Sequence, residues 1–167
     1  MKKVLLAWLG RSDLNASQDS SGLILGPVLD AITTRSYAKV FLLSNHPAKT
    51  SRAYELWLSR RARVDIKLKF VSLEDPMDFN RVYGYAKEAV GEAQELWGKD
   101  SLLVFDLSPG TPAMAAVWII LAKTRFPQAE LIVSGPKNET TDRYGIRTVS
   151  IPFDIAAEPI TDILGKR

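Results

Sequence analysis

The sequence predicts an α/β fold, and two observations support this prediction. Short apolar runs typical of buried strands, such as Val4–Leu9 and Leu102–Phe105, alternate with longer segments whose apolar residues have helical spacing. The composition, 46% hydrophobic and 25% charged, is that of an ordinary globular protein and excludes a disordered chain. Strands that alternate with helices form a mostly parallel sheet with helices on both faces. A length of 167 residues predicts one domain over residues 1–167.

The first half of the chain predicts three strands and two helices. In order, the segments are a strand at Val4–Leu9, a long polar loop at Gly10–Gly22, a helix at Leu23–Thr34, a strand at Val40–Leu43, a helix at Lys49–Ala62 and a strand at Val64–Val71. Pro27 suits the first helical turn, where its missing N–H costs nothing. Apolar and charged residues alternate in the third strand, so we expect it half exposed near a sheet edge.

The second half continues the alternation. In order, the segments are a helix at Phe79–Trp97 between a capping Asp78 and Gly98, a strand at Leu102–Phe105, an apolar helix at Ala113–Arg125, a strand at Leu131–Val133, a polar loop at Asn138–Gly145, a strand at Arg147–Phe153 and a short helix at Glu158–Leu164. Right-handed crossovers and a reversal after the third strand give a Rossmann-like sheet with six strands in the order 3-2-1-4-5-6.

Several classes of function are excluded by what the sequence lacks. Without cysteine the chain has no disulfide, thiol catalysis or cysteine-bound metal, and a single histidine, His46, excludes a multi-histidine metal site. The dinucleotide Gly-x-Gly-x-x-Gly and Walker patterns are absent, so we expect neither a standard dehydrogenase nor a P-loop NTPase. The longest apolar stretch, Ala113–Ala122, is half of what a bilayer requires. We expect a cytoplasmic protein with no metal, cofactor or membrane contact.

Positive charge is concentrated in the first half of the chain. Residues 1–73 contain 12 Lys and Arg against 5 Asp and Glu, a net charge of +7, although the whole chain carries only +3. Such an asymmetry indicates either an anionic partner or a solvated basic helix face.

Two small polar loops mark a candidate ligand site. Ligands of open α/β sheets bind outside the carboxyl ends of the strands, where the strand order reverses. Here that point lies between the first and fourth strands, which lead into Gly10-Arg11-Ser12-Asp13 and Ser108-Pro109-Gly110-Thr111-Pro112. Glycine lets backbone amides approach an anion, and the start of the following helix favours phosphate.

Each candidate residue also has a purely structural interpretation. Gly110 and Thr111 suit a turn and a helix cap as well as a ligand loop. Arg11 and Ser12 fit an exposed loop, or a phosphate contact and a hydroxyl that binds phosphate or a ribose 2′-OH. His46 is either a turn residue or a general acid or base, and Lys137 is either a surface lysine or a phosphate contact.

One part of the sequence resembles a known family. The stretch Leu102-Leu-Val-Phe-Asp-Leu-Ser-Pro-Gly-Thr-Pro-Ala-Met-Ala-Ala-Val-Trp-Ile-Ile-Leu-Ala, followed by Ala129-Glu-Leu-Ile-Val-Ser-Gly-Pro, resembles the CARF (CRISPR-associated Rossmann fold) domain. It is most similar to the branch found in the bacterial RNA-repair operon regulator and related sensors. The loop Gly10-Arg-Ser-Asp and the segment Glu74-Asp-Pro-Met-Asp-Phe before a long helix add to the resemblance.

The resemblance implies a ligand sensor. CARF domains form two-fold dimers that bind a cyclic oligoadenylate, made during type III CRISPR immunity, across the dimer interface at the strand ends. Binding activates an attached effector, which we expect to lie outside this chain. Some CARF domains also cleave the ring by positioning a ribose 2′-OH for attack on the adjacent phosphate. Two departures are Pro109, where the branch often has a hydroxyl residue, and the long loop after the first strand, which we expect to act as a mobile lid.

The resemblance and the strand-end positions together give the expected site. The expected ligand-binding residues are Gly10, Arg11, Ser12, Asp13, Ser44, Asn45, Ser108, Pro109, Gly110, Thr111, Pro112, Met114, Ser134 and Lys137. The leading hypothesis is a homodimeric sensor of cyclic tetra-adenylate, with no duplex nucleic acid as partner. The alternatives are a metal-independent ring nuclease, with Ser12 and Lys137 as candidate catalytic residues, and a regulatory domain that senses RNA ends or another nucleotide.

Overall fold

The computed structural model describes residues 2–134 and 145–152. Its elements, in chain order, are β1 (Lys3–Trp8), α1 (Arg11–Gln18), α2 (Gly26–Thr34), β2 (Lys39–Ser44), α3 (Ala48–Arg61), β3 (Asp65–Phe70), α4 (Phe79–Trp97), β4 (Leu102–Asp106), α5 (Pro112–Thr124), β5 (Glu130–Ser134) and β6 (Ile146–Val149). The predicted polar loop at 138–144, the predicted helix at 158–164 and Lys137 lie outside the described residues.

The six strands form one sheet in the order β3-β2-β1-β4-β5-β6, which confirms the predicted order. Strands β1 to β5 are parallel, and β6 pairs antiparallel with β5 at one edge. Strand β3 lies at the other edge and alternates between half-exposed and exposed residues around a buried Leu68, as its sequence predicts. The strand order reverses between β1 and β4, where Val4 pairs with Leu103.

Alternate side chains of β1 pack into two separate cores, one on each face of the sheet. On one face, Trp8 packs with α4 and α5, and the rings of Phe105 and Trp118 stack with their centroids 4.6 Å apart. On the other face, the fully buried Tyr54 and Leu58 of α3 pack with side chains of α1 and α2. The near-continuous apolar runs of the central strands follow from this burial on both faces.

The prediction of a long loop after β1 is wrong for residues 11–18, which form the helix α1. The sequence looked polar because only one narrow face of this helix is buried, at Asp13, Leu14 and Ala16. The Asp13 carboxylate accepts a hydrogen bond from the Gly10 amide, which closes the first turn in the manner of a capping box. The segment is therefore packed against α2 and α3 and is not a mobile lid.

The first helix of the prediction also begins later than expected. Helix α2 begins at Gly26, whereas Leu23 and Ile24 are 84% and 58% exposed in the preceding connection. Gly26 has a φ of +74°, and a side chain there would contact Asp13. Pro27 lies in the first turn, as predicted. The predicted last strand, Arg147–Phe153, is too long at its end, because β6 ends at Val149. The other predicted helices and strands within the described residues agree with the structure to within about two residues.

A buried residue of α2 and an exposed residue of the preceding connection make a direct test of this packing. Leu29 is 1% exposed in the core beneath α2, so Leu29→Ala should lower the free energy of unfolding by about 2–5 kcal/mol, through lost burial and a residual cavity. The matched change Leu23→Ala, at a side chain 84% exposed, should stay within about 0.5 kcal/mol of the parent. Urea denaturation measures both. Equal losses for the two variants would contradict the placement of α2.

Candidate functional site

The ends of β1 and β4 meet at two glycines. A methyl group on Gly10 would lie 2.8 Å from the Gly110 amide nitrogen, so only glycine allows this approach. Gly110 has a φ of +93°, a conformation that side chains rarely adopt. Helix α1 begins directly after Gly10 and helix α5 begins two residues after Gly110, so their N-terminal ends lie side by side. Two adjacent helix N-termini produce a positive local potential that favours an anion.

Four of the predicted ligand-binding residues are exposed at this point. Arg11 and Ser12 form the exposed first turn of α1, while Gly110 and Pro112 are exposed at the start of α5. Arg11 makes no ion pair with any residue that the structure describes. A guanidinium, a hydroxyl and the amides of the exposed first turn of α1 are therefore available to a ligand on this surface. The start of α5 offers fewer donors, because Pro112 has no N–H and the Met114 amide donates to Thr111.

Asp13 is placed beneath the surface. It is fully buried, and its two carboxylate oxygens accept hydrogen bonds from the Gly10 amide at 3.1 Å and from the Val28 amide at 2.9 Å. Burial raises the pKa of Asp13 to about 6, although these amide hydrogen bonds lower it. Its carboxylate thus connects the first turns of α1 and α2 and positions the residues that face outward.

Asp106 is a second buried carboxyl, which the sequence analysis did not single out. Its Oδ1 accepts a hydrogen bond from the Ser108 amide at 3.0 Å, while Oδ2 has no hydrogen-bond partner among the described residues. Burial, and to a smaller extent the negative charge of Asp13, raises the pKa of Asp106 to about 7. The sequence did contain a signal for Asp106, since an acidic residue at the end of the most apolar strand is costly to bury in its ionised form.

Ser108 and Ser134 connect the ends of β4 and β5. The Ser134 amide donates to Ser108 Oγ at 2.5 Å, and both serines are half-buried. The Ser134 hydroxyl has no partner within the described part of the chain. These two residues lie next to Asp106 rather than on the exposed turn of α1.

The residues after β2 mainly join neighbouring strand ends. The buried Ser44 hydroxyl pairs with Ser51 Oγ at 2.8 Å. The Asn45 side chain donates to the Leu73 carbonyl and accepts from the Leu73 amide, which ties the end of β2 to the segment after β3. His46 Nε2 lies 3.0 Å from the Leu9 carbonyl oxygen, so it donates there and leaves Nδ1 as the remaining ring nitrogen.

Thr111 acts as a helix cap. Its hydroxyl accepts from the Met114 amide at 3.4 Å and donates to the Pro76 carbonyl at 2.8 Å, which links α5 to the segment before α4. Met114 is 5% exposed, and Pro109 is also buried. The turn-and-cap interpretation of Gly110 and Thr111 therefore agrees with the structure, and their role toward a ligand stays a prediction.

A cavity of 450 Å³ lies at the opposite end of the strands, near the start of β4 and the loop after α5. The strand-end site is instead an open surface between α1 and α5. Within residues 2–134 and 145–152, no group of three or more His, Asp or Glu side chains is arranged to hold a metal ion. None of the helices described there is long and apolar enough to cross a membrane.

Comparison with known proteins identifies the fold. No protein-family model and no curated protein matches the sequence. Csm6 from Enterococcus italicus, solved with cyclic hexa-2′-fluoro-hexa-dAMP, matches 90% of this chain with a TM-score of 0.69 and 14% sequence identity. The fold is of the CARF type. Can2 from Sulfobacillus thermosulfidooxidans, solved with cyclic tetra-adenylate, matches 80% of the chain with a TM-score of 0.53 and 15% identity.

Only part of each similar structure corresponds to this CARF-type fold. The chain spans 42% of the length of the Csm6 chain and 32% of the Can2 chain. The comparison therefore establishes the fold, as the resemblance of the sequence predicted.

The buried carboxyl of Asp106 predicts a pH-dependent stability. Its pKa rises from 3.8 in the unfolded chain to about 7 in the folded protein, so the folded state binds the proton more tightly. The stabilisation of the folded state by this bound proton is fully present below about pH 4 and is lost as the pH rises through about 7. Asp106→Asn retains the acceptor for the Ser108 amide and removes the charge. At pH 8 it should raise the free energy of unfolding by an amount on the order of 2–4 kcal/mol.

Urea denaturation at several pH values between about 5 and 8 measures the effect, and the variant should flatten the pH dependence. The exposed Asp100 provides a control, since Asp100→Asn should retain the slope of the parent. A slope that is unchanged in Asp106→Asn would show that Asp106 is ionised throughout this range.

Proposed function

We propose that the protein is a CARF-type sensor domain that binds a cyclic oligoadenylate, with cyclic tetra-adenylate as the expected ring, and controls an effector in type III CRISPR defence. The observation that carries the proposal is the convergence of the two helix N-termini at Gly10 and Gly110, with Arg11 and Ser12 exposed beside them. This surface lies at the strand ends where the order of the sheet reverses, the usual ligand position in such sheets.

The chemistry of this surface suits a phosphodiester. Each linkage of a cyclic oligoadenylate carries one negative charge, which the amides at the exposed start of α1 can receive. The Arg11 guanidinium is a charged donor for phosphate oxygens, and the Ser12 hydroxyl can bind a phosphate or a ribose. The Asp13 carboxyl is buried and already bound to two amides, so it does not compete for the ligand from the surface.

The structural neighbours support the same ligand class. Csm6 is described with a cyclic hexa-adenylate analogue and Can2 with cyclic tetra-adenylate. This chain spans less than half of either protein. We therefore propose that the effector is a separate partner or a further segment of the same protein.

The proposed sensor is a homodimer in which each subunit supplies one half of an open site. A two-fold dimer matches a cyclic ligand with internal symmetry. Apolar side chains lie beside the site in position for such an interface: Met77 and Phe79 are 44% and 49% exposed, and they follow the Pro76 carbonyl that binds Thr111.

Replacing the exposed cation tests ligand binding. Arg11→Gln should weaken binding of cyclic tetra-adenylate by at least tenfold, because a charge-assisted hydrogen bond contributes about 1.5–3 kcal/mol per subunit. Isothermal titration calorimetry with cyclic tri-, tetra- and hexa-adenylate measures the affinity. Arg63→Gln removes the same charge from an exposed position before β3 and should leave the affinity within about twofold. No heat with any of the three rings would refute the proposal.

The same samples separate a sensor from a ring nuclease. For a sensor, chromatography after an hour with the wild-type protein should return intact cyclic tetra-adenylate. Linear products formed well above the rate of a protein-free control would instead support the ring nuclease, with Ser12 and Lys137 as the first residues to replace.

The dimer makes a separate prediction. Light scattering at micromolar concentration should report about twice 18.6 kDa. Phe79→Ser should shift the population toward the monomer, because Phe79 is an apolar side chain exposed beside the site. Leu96→Ser, at a side chain 55% exposed near the other end of α4, should leave the mass unchanged. A parent protein that is monomeric both in the absence and in the presence of the ligand would exclude the two-fold site.

A further inference from the structure

A second cavity lies between the last turn of α1 and the helix α3. Its volume is 290 Å³, close to the lower end of small-molecule sites, which begins at roughly 300 Å³. The residues that line it are Ser17, Gln18, Lys49, Thr50, Ala53 and Trp57. The set combines a cation, two hydroxyls, an amide and an indole, and contains no carboxylate.

Lys49 and Thr50 provide the anion-binding side of the cavity. Lys49 is exposed and forms no ion pair with a residue that the structure describes, so its ammonium group is available. The Thr50 hydroxyl lies in the same first turn of α3. An ammonium group and a hydroxyl in one cavity suit a phosphate group.

Trp57 provides an aromatic wall that two other residues of α3 hold in place. The Arg61 guanidinium lies 4.3 Å from the centroid of the Trp57 ring, and the Tyr54 ring lies 5.4 Å from it at a tilt of 32°. Trp57 is only half-buried and lines the cavity despite these contacts. Because Arg61 already lies over one face of the ring, the fixed indole offers a base an apolar contact at the cavity wall.

Gln18 adds a group that can read the edge of a base. A glutamine side chain matches the adenine N6 donor and N7 acceptor at the same time. It lies in the last turn of α1, whereas Arg11 lies in the first turn. The rise along the helix places the two about 10 Å apart, within the span of one oligonucleotide ligand.

We propose that the cavity between α1 and α3 binds one adenine nucleotide unit, with Trp57 and Gln18 facing the base and Lys49 and Thr50 facing the phosphate. This proposal rests on the proposed function where the unit is part of a cyclic oligoadenylate bound at the strand ends. The same chemistry accepts a free adenine mononucleotide. It also gives a role to part of the positive charge of residues 1–73, which the strand-end site alone does not use.

Calorimetry with AMP and with cyclic tetra-adenylate tests the proposal on the chain of 167 residues. Lys49→Gln should weaken AMP binding at least fivefold, because it removes the cation nearest the phosphate. Its matched control is Arg60→Gln, which removes one positive charge from an exposed position of the same helix outside the cavity. The control should bind AMP within about twofold of the parent. Trp57→Leu should weaken AMP binding by a similar factor and, unlike Lys49→Gln, should leave its salt dependence unchanged.

The cyclic ligand identifies the source of the nucleotide unit. A parallel loss of cyclic tetra-adenylate affinity in Lys49→Gln and Trp57→Leu assigns the cavity to the cyclic ligand, whereas a loss confined to AMP assigns it to a mononucleotide. The proposal is overturned if the parent does not bind AMP at millimolar concentration and both variants bind cyclic tetra-adenylate normally, or if Arg60→Gln weakens binding as much as Lys49→Gln. Failure of the proposed sensor function differs from these outcomes, because no cyclic oligoadenylate would then bind while the AMP result would stand.

Discussion

The candidate site depends on the carboxylate of Asp13, which holds together two helices that the chain otherwise joins by an exposed connection. One oxygen binds the Gly10 amide and the other binds the Val28 amide, so the first turns of α1 and α2 have a fixed relation. Burying this carboxyl is costly, as its raised pKa shows, and the two amides offset part of that cost. Because Asp13 faces the interior, Arg11 and Ser12 in the same turn of α1 are exposed to solvent.

The site therefore has an inner layer and an outer layer with different chemistry. The inner layer consists of Asp13, Asp106 and the hydroxyls of Ser44 and Thr111, whose hydrogen bonds join one strand end to the next segment. The outer layer offers only amides, one guanidinium and one hydroxyl at the helix starts. Donors face solvent while carboxyls are buried, and this separation favours an anionic ligand over a cationic one.

The sequence predicted the strand order and most of the elements because the central strands are apolar throughout and the helices have clear ends. It did not predict α1, because the burial of Asp13, Leu14 and Ala16 arises only when α2 and α3 cover that face. The strand-end loops were located correctly by topology. The inward or outward direction of each side chain was not predictable, since a serine or threonine that caps a helix has the same sequence pattern as one that binds a ligand.

The pairing of β1 with β4 has a consequence for the order in which the molecule assembles. Val4 pairs with Leu103, although the two residues are far apart in the sequence. Gly10 and Gly110 therefore come together only when the long segment between them has closed into a loop. Closing such a long loop costs entropy before the contacts that reward it are made, which slows folding. During synthesis, the first three strands and α1 can emerge and pack while the binding surface is still half made. The surface becomes complete only after the start of α5 has left the ribosome, which makes ligand recognition a late property of the newly made protein.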